Sequence, residues 1–487
     1  MSDDRTPVVI GVGSVVQREA DPSAAVEPVA LMAQALEAAA ADAGSREWLE
    51  TADALAIPRG FWDYPDPGRW VAETIGAKQA RTQFAQVGVL QTTLFAKACT
   101  AIAAGEREVV LVAGGEAKWR AAQAARAGVE APVTDQGDVS PDEVWTPAAE
   151  IIHPAELAAH LGMPVRQYAV IENALRAHEG LSLSAHRDEV AEVWSGMSRA
   201  SVENPDAWTR EFFPPEAIRD AAAGNRMLAF PYTKRHNSQW NVDQAAGLVF
   251  TSVARARAAG VSESQWVYPR AIAESNFMLP LAERAALHRC VGFAVAGETA
   301  LAAAGLGIDE IAHRELYSCF PAAVRVQQRE LGLDLTAPVT LGGGMAFAGG
   351  PLNSFVLQAA VRMAQTLRTS GGHGLLTAVS GMLTKQGVSV WSTTPGPGFS
   401  ADDVSTEVER QTERRTVVAD YQGPATVAGH TVVFEGDQPS HTLVIADTPS
   451  GERAVGFQAG GALAERAQRE ELAGVPVSFG PEGVAAG

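Results

Sequence analysis

Three cysteines in 487 residues are too few for a disulfide framework. Cys99, Cys290 and Cys319 lie far apart, so a reducing compartment is the expectation. Positive charge is scarce as well: 38 Lys and Arg stand against 57 Asp and Glu, a net charge of −19. Such a chain has no electrostatic footprint for nucleic acid, and an anionic ligand would need a local basic pocket. No apolar run reaches the roughly 18 residues of a membrane-spanning helix. The opening Met1-Ser2-Asp3-Asp4-Arg5 is polar and acidic, unlike the basic start of a signal peptide. These absences lead us to expect a cytoplasmic protein with neither nucleic acid nor membrane as partner. What is present is globular: 46% hydrophobic and 20% charged residues, with 46 glycines and 27 prolines scattered through periodic sequence.

The periodic segments spell an α/β chain. Pro7–Gly13 and Val109–Val112 are β-branched strand runs, and Ala54–Ile57 is a short apolar strand. Pro28–Gly44 and Thr92–Ala104 carry helical periodicity with glycine stops. The second half repeats the order. Ala296–Ala304 is followed by a glycine stop and a strand at Glu315–Phe320. Thr92–Glu116 parallels Asn353–Met382, each a helix, a polar turn, an apolar strand and a small-residue glycine turn. Two matched units in one order predict a duplicated α/β core. Between the halves, roughly residues 118–239, the sequence turns rich in Trp, Pro, His and charge, with helices at His153–Leu161, Arg166–His178 and Arg187–Arg199. This reads as a large insertion over one face of the sheet, the kind that carries substrate contacts or serves as a packing cap.

A boundary follows at Thr393-Thr394-Pro395-Gly396-Pro397-Gly398. After a charged helical stretch, Ala401–Arg415, come short strands at Thr431–Phe434, Thr442–Ala446, Arg453–Gln458 and Val475–Phe479, with a helical interruption at Ala462–Leu472. The turns between them predict a small antiparallel β-barrel of the OB type. Its acidic sequence, with few aromatics for base stacking, suits packing or a protein partner better than nucleic acid.

The duplicated core, the insertion, Gly342-Gly343-Gly344-Met345-Ala346-Phe347-Ala348-Gly349-Gly350-Pro351 and Asn241-Val242-Asp243-Gln244-Ala245-Ala246-Gly247-Leu248-Val249 together resemble the thiolase superfamily. The second segment looks like the strand-and-helix opening of a thiolase's second half. The closest branch by these residues is the sterol-carrier-protein-2 type, among thiolase-like proteins with an extra C-terminal barrel. The resemblance spans the whole chain. It implies a five-layered αβαβα fold with N-terminal half 1–250, C-terminal half 251–400 and barrel 408–487.

Thiolase chemistry needs a cysteine nucleophile, a histidine that activates it, an oxyanion hole and a second acid/base, usually cysteine. Ungapped matching places Gly88 at the nucleophile, and Cys99, eleven residues on, reads as a buried small hydrophobe. The family's Gly-His-Pro is Gly349-Gly350-Pro351 here. Its His-Asp-Cys-Phe is Tyr317-Ser318-Cys319-Phe320, and the second proton-transfer turn is Val379-Ser380-Gly381-Met382. The positions of lost catalytic residues are thus Gly88, Gly350 and Ser380. Tyr317 and Cys319 remain as candidates for chemistry, sharing one face if their segment is a strand. Gly88 and Gly350 head helices whose N-termini would face a carbonyl or anion, and glycine there would enlarge a pocket. Gly349, Gly350 and Gly381 are the expected substrate-binding glycines. For CoA phosphates the basic run near the insertion's end offers Arg226, Lys234 and Arg235. His153, His160 and His178 show no ligand spacing, so no metal is expected, and no covalently bound cofactor.

The resemblance thus implies a protein that binds CoA, acyl-CoA or a related thioester and is not an ordinary acetyl-CoA acetyltransferase. Two alternatives stay open: a CoA-thioester C–C lyase of retro-aldolase type using Tyr317, and a non-catalytic interaction protein. Homodimer and monomer are both open, as is a protein partner at the barrel.

Overall fold

The β-branched run after Pro7 forms β1 (Pro7–Val16), with Val8, Val9 and Ile10 fully buried. The computed structural model describes residues 4–147 and 151–486, so Met1-Ser2-Asp3 lie outside the described residues. Further strands of the first half are β2 (Ala54–Pro58), β3 (Arg81–Ala85), β4 (Val109–Ala117) and β5 (Glu143–Trp145). A short hairpin of β6 (Met227–Ala229) and β7 (Tyr232–Thr233) precedes β8 (Asp243–Ser252). They assemble in the order β1-β8-β4-β2-β3-β5. A second sheet contains β9 (Tyr268–Ser275), β10 (Ile311–Glu315), β11 (His373–Ser380), β12 (Lys385–Ser392) and β13 (Ser400–Asp403), ordered β10-β11-β12-β9-β13.

The two sheets share one design. β2 runs parallel to β4, while β8 is antiparallel to both β4 and β1. In the second sheet β10 runs parallel to β11, while β12 is antiparallel to both β11 and β9. The helices Gln91–Ala104 and Phe355–Ser370 precede β4 and β11 and lie between the sheets. Phe95 shows the packing: its ring centroid is 5.8 Å from Phe250 in β8 and 5.6 Å from Trp391 in β12. Helix Pro28–Asp42 covers the outer face of the first sheet, and helix Val291–Ala304 that of the second. The order is helix, sheet, helix, sheet, helix.

Three expectations change. Asn241–Val249 does lead into a strand and helix, β8 and Val253–Ala258, but β8 closes the first sheet between β1 and β4 and does not open a second half. Its run Ala245-Ala246-Gly247-Leu248-Val249 suits a central strand buried on both faces. The charged stretch Ala401–Arg415 is not one helix. Ser400–Asp403 adds to β9 as a parallel strand, and the Asp403 carboxylate accepts the Ser405 amide at 2.9 Å, starting a short helix Ser405–Gln411. Finally, the strand expected over Glu315–Phe320 ends at Glu315. Pro321 fixes the start of helix Pro321–Glu330, leaving residues 316–320 as a connecting loop.

The C-terminal strands are β14 (Gly423–Glu435), β15 (Gln438–Asp447), β16 (Arg453–Ala459), β17 (Pro476–Gly480) and β18 (Gly483–Ala486). They form an antiparallel sheet ordered β16-β15-β14-β17-β18, with β6 joined to β14 at Ala229 and Val433. The sheet curls until Gly483 lies under the Phe457 carbonyl, where a Cβ would sit 2.4 Å from the oxygen. No ladder joins β16 to β18 among the described residues. The sheet is fixed to the insertion by the Asn173 amide, which donates to the carbonyls of Phe230 (3.0 Å) and His430 (3.1 Å), and by the Arg176–Glu471 ion pair at 2.6 Å. Among the described residues no helix is long and apolar enough to cross a membrane.

Candidate functional site

The two central helices bring their N-terminal ends together. Gln91 Nε2 donates to Asn353 Oδ1 at 3.1 Å, and Asn353 Nδ2 donates to the Arg59 carbonyl at 2.8 Å. Gly88 and Gly350 precede these helices, but neither opens a pocket. Gly88, at φ +102°, is buried, and a Cβ there would lie 2.8 Å from Pro147 Cγ. At Gly350 a Cβ would lie 2.0 Å from Ser238 Oγ and 3.3 Å from Met345 Cε, and at Gly349 it would lie 2.1 Å from Gln244 Oε1. Gly381, at φ +67°, is filled by Thr384 Oγ1 at 2.1 Å, and that hydroxyl donates to the Ser380 carbonyl at 3.0 Å. The expected enlargement is therefore absent: neighbouring side chains occupy the room each missing side chain leaves.

Tyr317 and Cys319 lie in the loop before helix Pro321–Glu330, so strand alternation does not orient them. The loop is pinned through its backbone. The Tyr317 amide donates to Thr377 Oγ1 and the Tyr317 carbonyl accepts from Gln327 Nε2, both at 2.8 Å. The Met345 amide donates to Ser318 Oγ at 3.0 Å. The Tyr317 ring stands edge-on to Phe355 with centroids 6.0 Å apart. Tyr317 is half-buried, its hydroxyl makes no hydrogen bond among the described residues, and burial raises its pKa above the ordinary tyrosine range. Cys319 is buried, with its thiol pushed up to about 12 by desolvation. Tyr168 stacks on Phe320 and donates its hydroxyl to the Gly381 carbonyl at 3.2 Å.

Sequence reasoning missed the charged pair at the head of the first central helix. Lys385, 2% exposed, donates its ammonium to the Gly88 carbonyl at 2.6 Å. Glu274 accepts the hydroxyls of Thr92 and, at 2.9 Å, Thr93. Burial lifts its carboxyl to about 7, against the downward pull of those hydroxyls. Burial also lowers the Lys385 ammonium, partly countered by Glu274. The signal was available: each is a lone charge beside a strand run, Ala271-Ile272-Ala273-Glu274 and Lys385-Gln386-Gly387-Val388, where a solvated charge would break the sheet's burial. A second buried network holds helix Pro321–Glu330. Glu172 meets Arg325 at 3.1 Å, His186 at 2.9 Å and the Tyr232 hydroxyl at 2.7 Å. Burial pushes the Glu172 carboxyl up, but Arg325 and these hydrogen bonds outweigh it and hold it at about 2.

The three insertion cations divide. Arg226 and Lys234 are exposed and their side chains make no ion pair or hydrogen bond among the described residues. Arg235 is engaged: Nη1 donates to the Ala217 carbonyl at 2.8 Å and the guanidinium lies 4.4 Å over Phe213. His153 caps helix Pro154–Ala158, and His178 stacks on His288 at 3.9 Å. Among the described residues no cluster of three or more His, Cys, Asp or Glu could hold a metal ion.

The geometry has close counterparts among solved structures. Over the full length of both chains, the structure superposes with TM-score 0.83 and 27% identity on a monomeric SCP2-thiolase like protein type 1 from Mycobacterium smegmatis. Over 80% of this chain it superposes on an Ltp2-ChsH2(DUF35) aldolase, at TM-score 0.59 and 19% identity over 98% of that chain. It also superposes over 80% of this chain on human mitochondrial 3-ketoacyl-CoA thiolase, at TM-score 0.59 and 16% identity over 100% of that chain. No protein-family profile and no curated protein matches the sequence.

Proposed function

The chain belongs to the thiolase-like superfamily, and from that premise we propose that it binds acyl-CoA or a related thioester without ordinary thiolase turnover. One observation carries the reading. The resemblance maps the family's nucleophile, activating histidine and proton shuttle onto Gly88, Gly350 and Ser380, and the space beside Gly88, Gly350 and the adjoining Gly381 is filled by Pro147, Ser238 and Thr384. The Gly88 carbonyl is further capped by Lys385. No thiolate, and no space for one, supports acyl transfer there. Binding is assigned to groups that remain accessible: Arg226 and Lys234 for the CoA phosphates, and the half-buried Tyr317 side chain for the acyl end. Titration of the full chain with acetyl-CoA tests this. Saturable binding is expected, weakened at least about tenfold in the double variant Arg226→Glu/Lys234→Glu. No binding at about 1 mM would instead favour the interaction-protein reading, with the curled C-terminal sheet, read as an OB-type barrel, as its docking module.

Tyr317 favours a second reading. Its hydroxyl makes no hydrogen bond among the described residues, and the raised pKa keeps the proton on oxygen, which rules out the role of base and leaves that of acid or hydrogen-bonding group. In retro-aldol cleavage of a β-hydroxyacyl thioester the Cα–Cβ bond breaks, the β-hydroxyl loses a proton to a base, and Cα takes one up from an acid such as Tyr317. A Tyr317→Phe variant that retains full lyase activity would remove this role.

We infer the oligomeric state from the sheet edge. β5, from the insertion, adds parallel to β3 through Gln83–Ala85 and Glu143–Trp145. The edge that thiolases use for dimerisation is thereby occupied by the chain itself, which supports a monomer. A light-scattering mass near twice that of the chain would contradict it.

A further inference from the structure

A cavity of about 300 Å³ opens where the second sheet meets the segment leading to the C-terminal strands. It lies on the far side of β12 from the Gly88 cluster, because Lys385 and Gln386 project to opposite faces of one strand. Its polar end is built around Arg284, which is 6% exposed. Arg284 Nη2 donates to the Met382 carbonyl and Nε to the Leu279 carbonyl, but Nη1 has no partner. Among the described residues no carboxylate forms a direct ion pair with this guanidinium, and Glu156 acts on it only through space. Glu330 is taken by Arg289, whose Nε and Nη2 reach it at 2.6 and 2.9 Å, and by the Cys290 amide at 2.8 Å. Glu156 accepts the amides of Ala282 and His153 instead.

Two further groups at this end lack partners. Helix Val291–Ala304 begins here at Cys290 with no cap from the Cys290 side chain. Glu330 meets the Cys290 amide and the Cys290 carbonyl meets the Phe293 amide, while the amides of Val291 and Gly292, two residues of the cavity lining, make no hydrogen bond among the described residues. Gln386 Nε2 donates to Cys290 Sγ at 3.1 Å, and Gln386 Oε1 is unpartnered. Burying a guanidinium without a direct ion pair is costly, and burial lowers the Arg284 pKa, partly countered by Cys290 and Glu156. Phe277, Leu279 and Val408 give the wall an apolar part, beside the polar Thr384, Gln411 and Thr412. Glu413 at the lining disfavours a dianion.

We propose that this cavity binds a short aliphatic carboxylate, with its carboxyl group against Arg284 and the uncapped helix start and its chain on Phe277, Leu279 and Val408. The volume lies at the low end of ligand pockets, which span roughly 300–1,000 Å³, and suits a small acid rather than a nucleotide-bearing thioester. The site is separate from the acyl-CoA reading, and either can fail alone.

Calorimetric titration of the full chain with butyrate tests it, with butyramide and inorganic phosphate as controls. Butyrate should bind saturably, and both controls at least about tenfold more weakly. Ala286, half-exposed on the cavity wall, gives a variant that blocks the space without removing a buried charge. Ala286→Trp should lose at least about tenfold in butyrate affinity with its urea midpoint unchanged, and Arg284→Gln should lose as much if it folds. Equal binding of butyrate and butyramide, tighter binding of phosphate, unchanged binding by Ala286→Trp, or no saturable binding at about 10 mM would each overturn the assignment.

Discussion

Lys385 and Gln386 are neighbours on one strand, and the spaces they face have opposite characters. The Lys385 side looks toward the helix head at which the resemblance places the family's nucleophile. There every missing side chain is replaced by a neighbour, the ammonium is capped by a carbonyl, and the carboxylate of Glu274 is held by two threonines. The Gln386 side is open, with a buried guanidinium nitrogen and an amide oxygen that lack partners at a cavity. A protein that loses a reaction can close the vacated site by repacking, because filling a void recovers contact and burial energy.

If the Lys385 side is a packed interior, its groups should register in stability. The largest effect concerns Glu274. Its folded value of about 7 lies above the ordinary 4.5, so the folded state binds the extra proton between those values. Stability should therefore fall as pH rises from about 4.5 to 7 and flatten above, by up to about 3 kcal/mol. Glu274→Gln should remove that part of the slope in urea titrations across pH. An unchanged slope would place the carboxylate in contact with solvent. Lys385→Met orphans the Gly88 carbonyl and should cost about 1–3 kcal/mol, read as a lower urea midpoint. Gly88→Ala meets both Pro147 and a positive φ, and should cost about 1–2 kcal/mol. On the Gln386 side, Ala286→Trp should change stability by no more than about 0.5 kcal/mol. A large loss there would mean the cavity is structural and would erase the contrast.

Much of the core was legible because its signals are local and repeated. The helix and strand pair at Thr92–Glu116 and its counterpart at Asn353–Met382 occupy equivalent places in the two sheets. β-branched runs such as Val109–Val112 appear as central strands. The errors arose where pairing partners, not local sequence, decide. Asn241–Val249 reads equally well as the first or last strand of a unit, and only its pairing with β1 and β4 settles it. Tyr317–Phe320 carries strand-compatible residues, yet Pro321 and the backbone bonds to Thr377 and Gln327 hold it as a loop. The state of the site was the least legible part. A sequence shows that Gly88 and Gly350 carry no side chain; it does not show that Pro147 and Ser238, both distant in the chain, fill the space. Arg284, one arginine among many, is distinguished by a buried, unpartnered nitrogen at the wall of a cavity.

The central claim, a thioester-binding protein whose reaction centre is closed, is tested most directly by binding and turnover in one sample. Acetyl-CoA titrated into the full chain should bind saturably, while acetoacetyl-CoA and free CoA incubated with the same protein should give no thiolysis above the protein-free rate. Thiolysis that scales with protein concentration would contradict the account, because no group at Gly88, Gly350 or Ser380 could then be the agent.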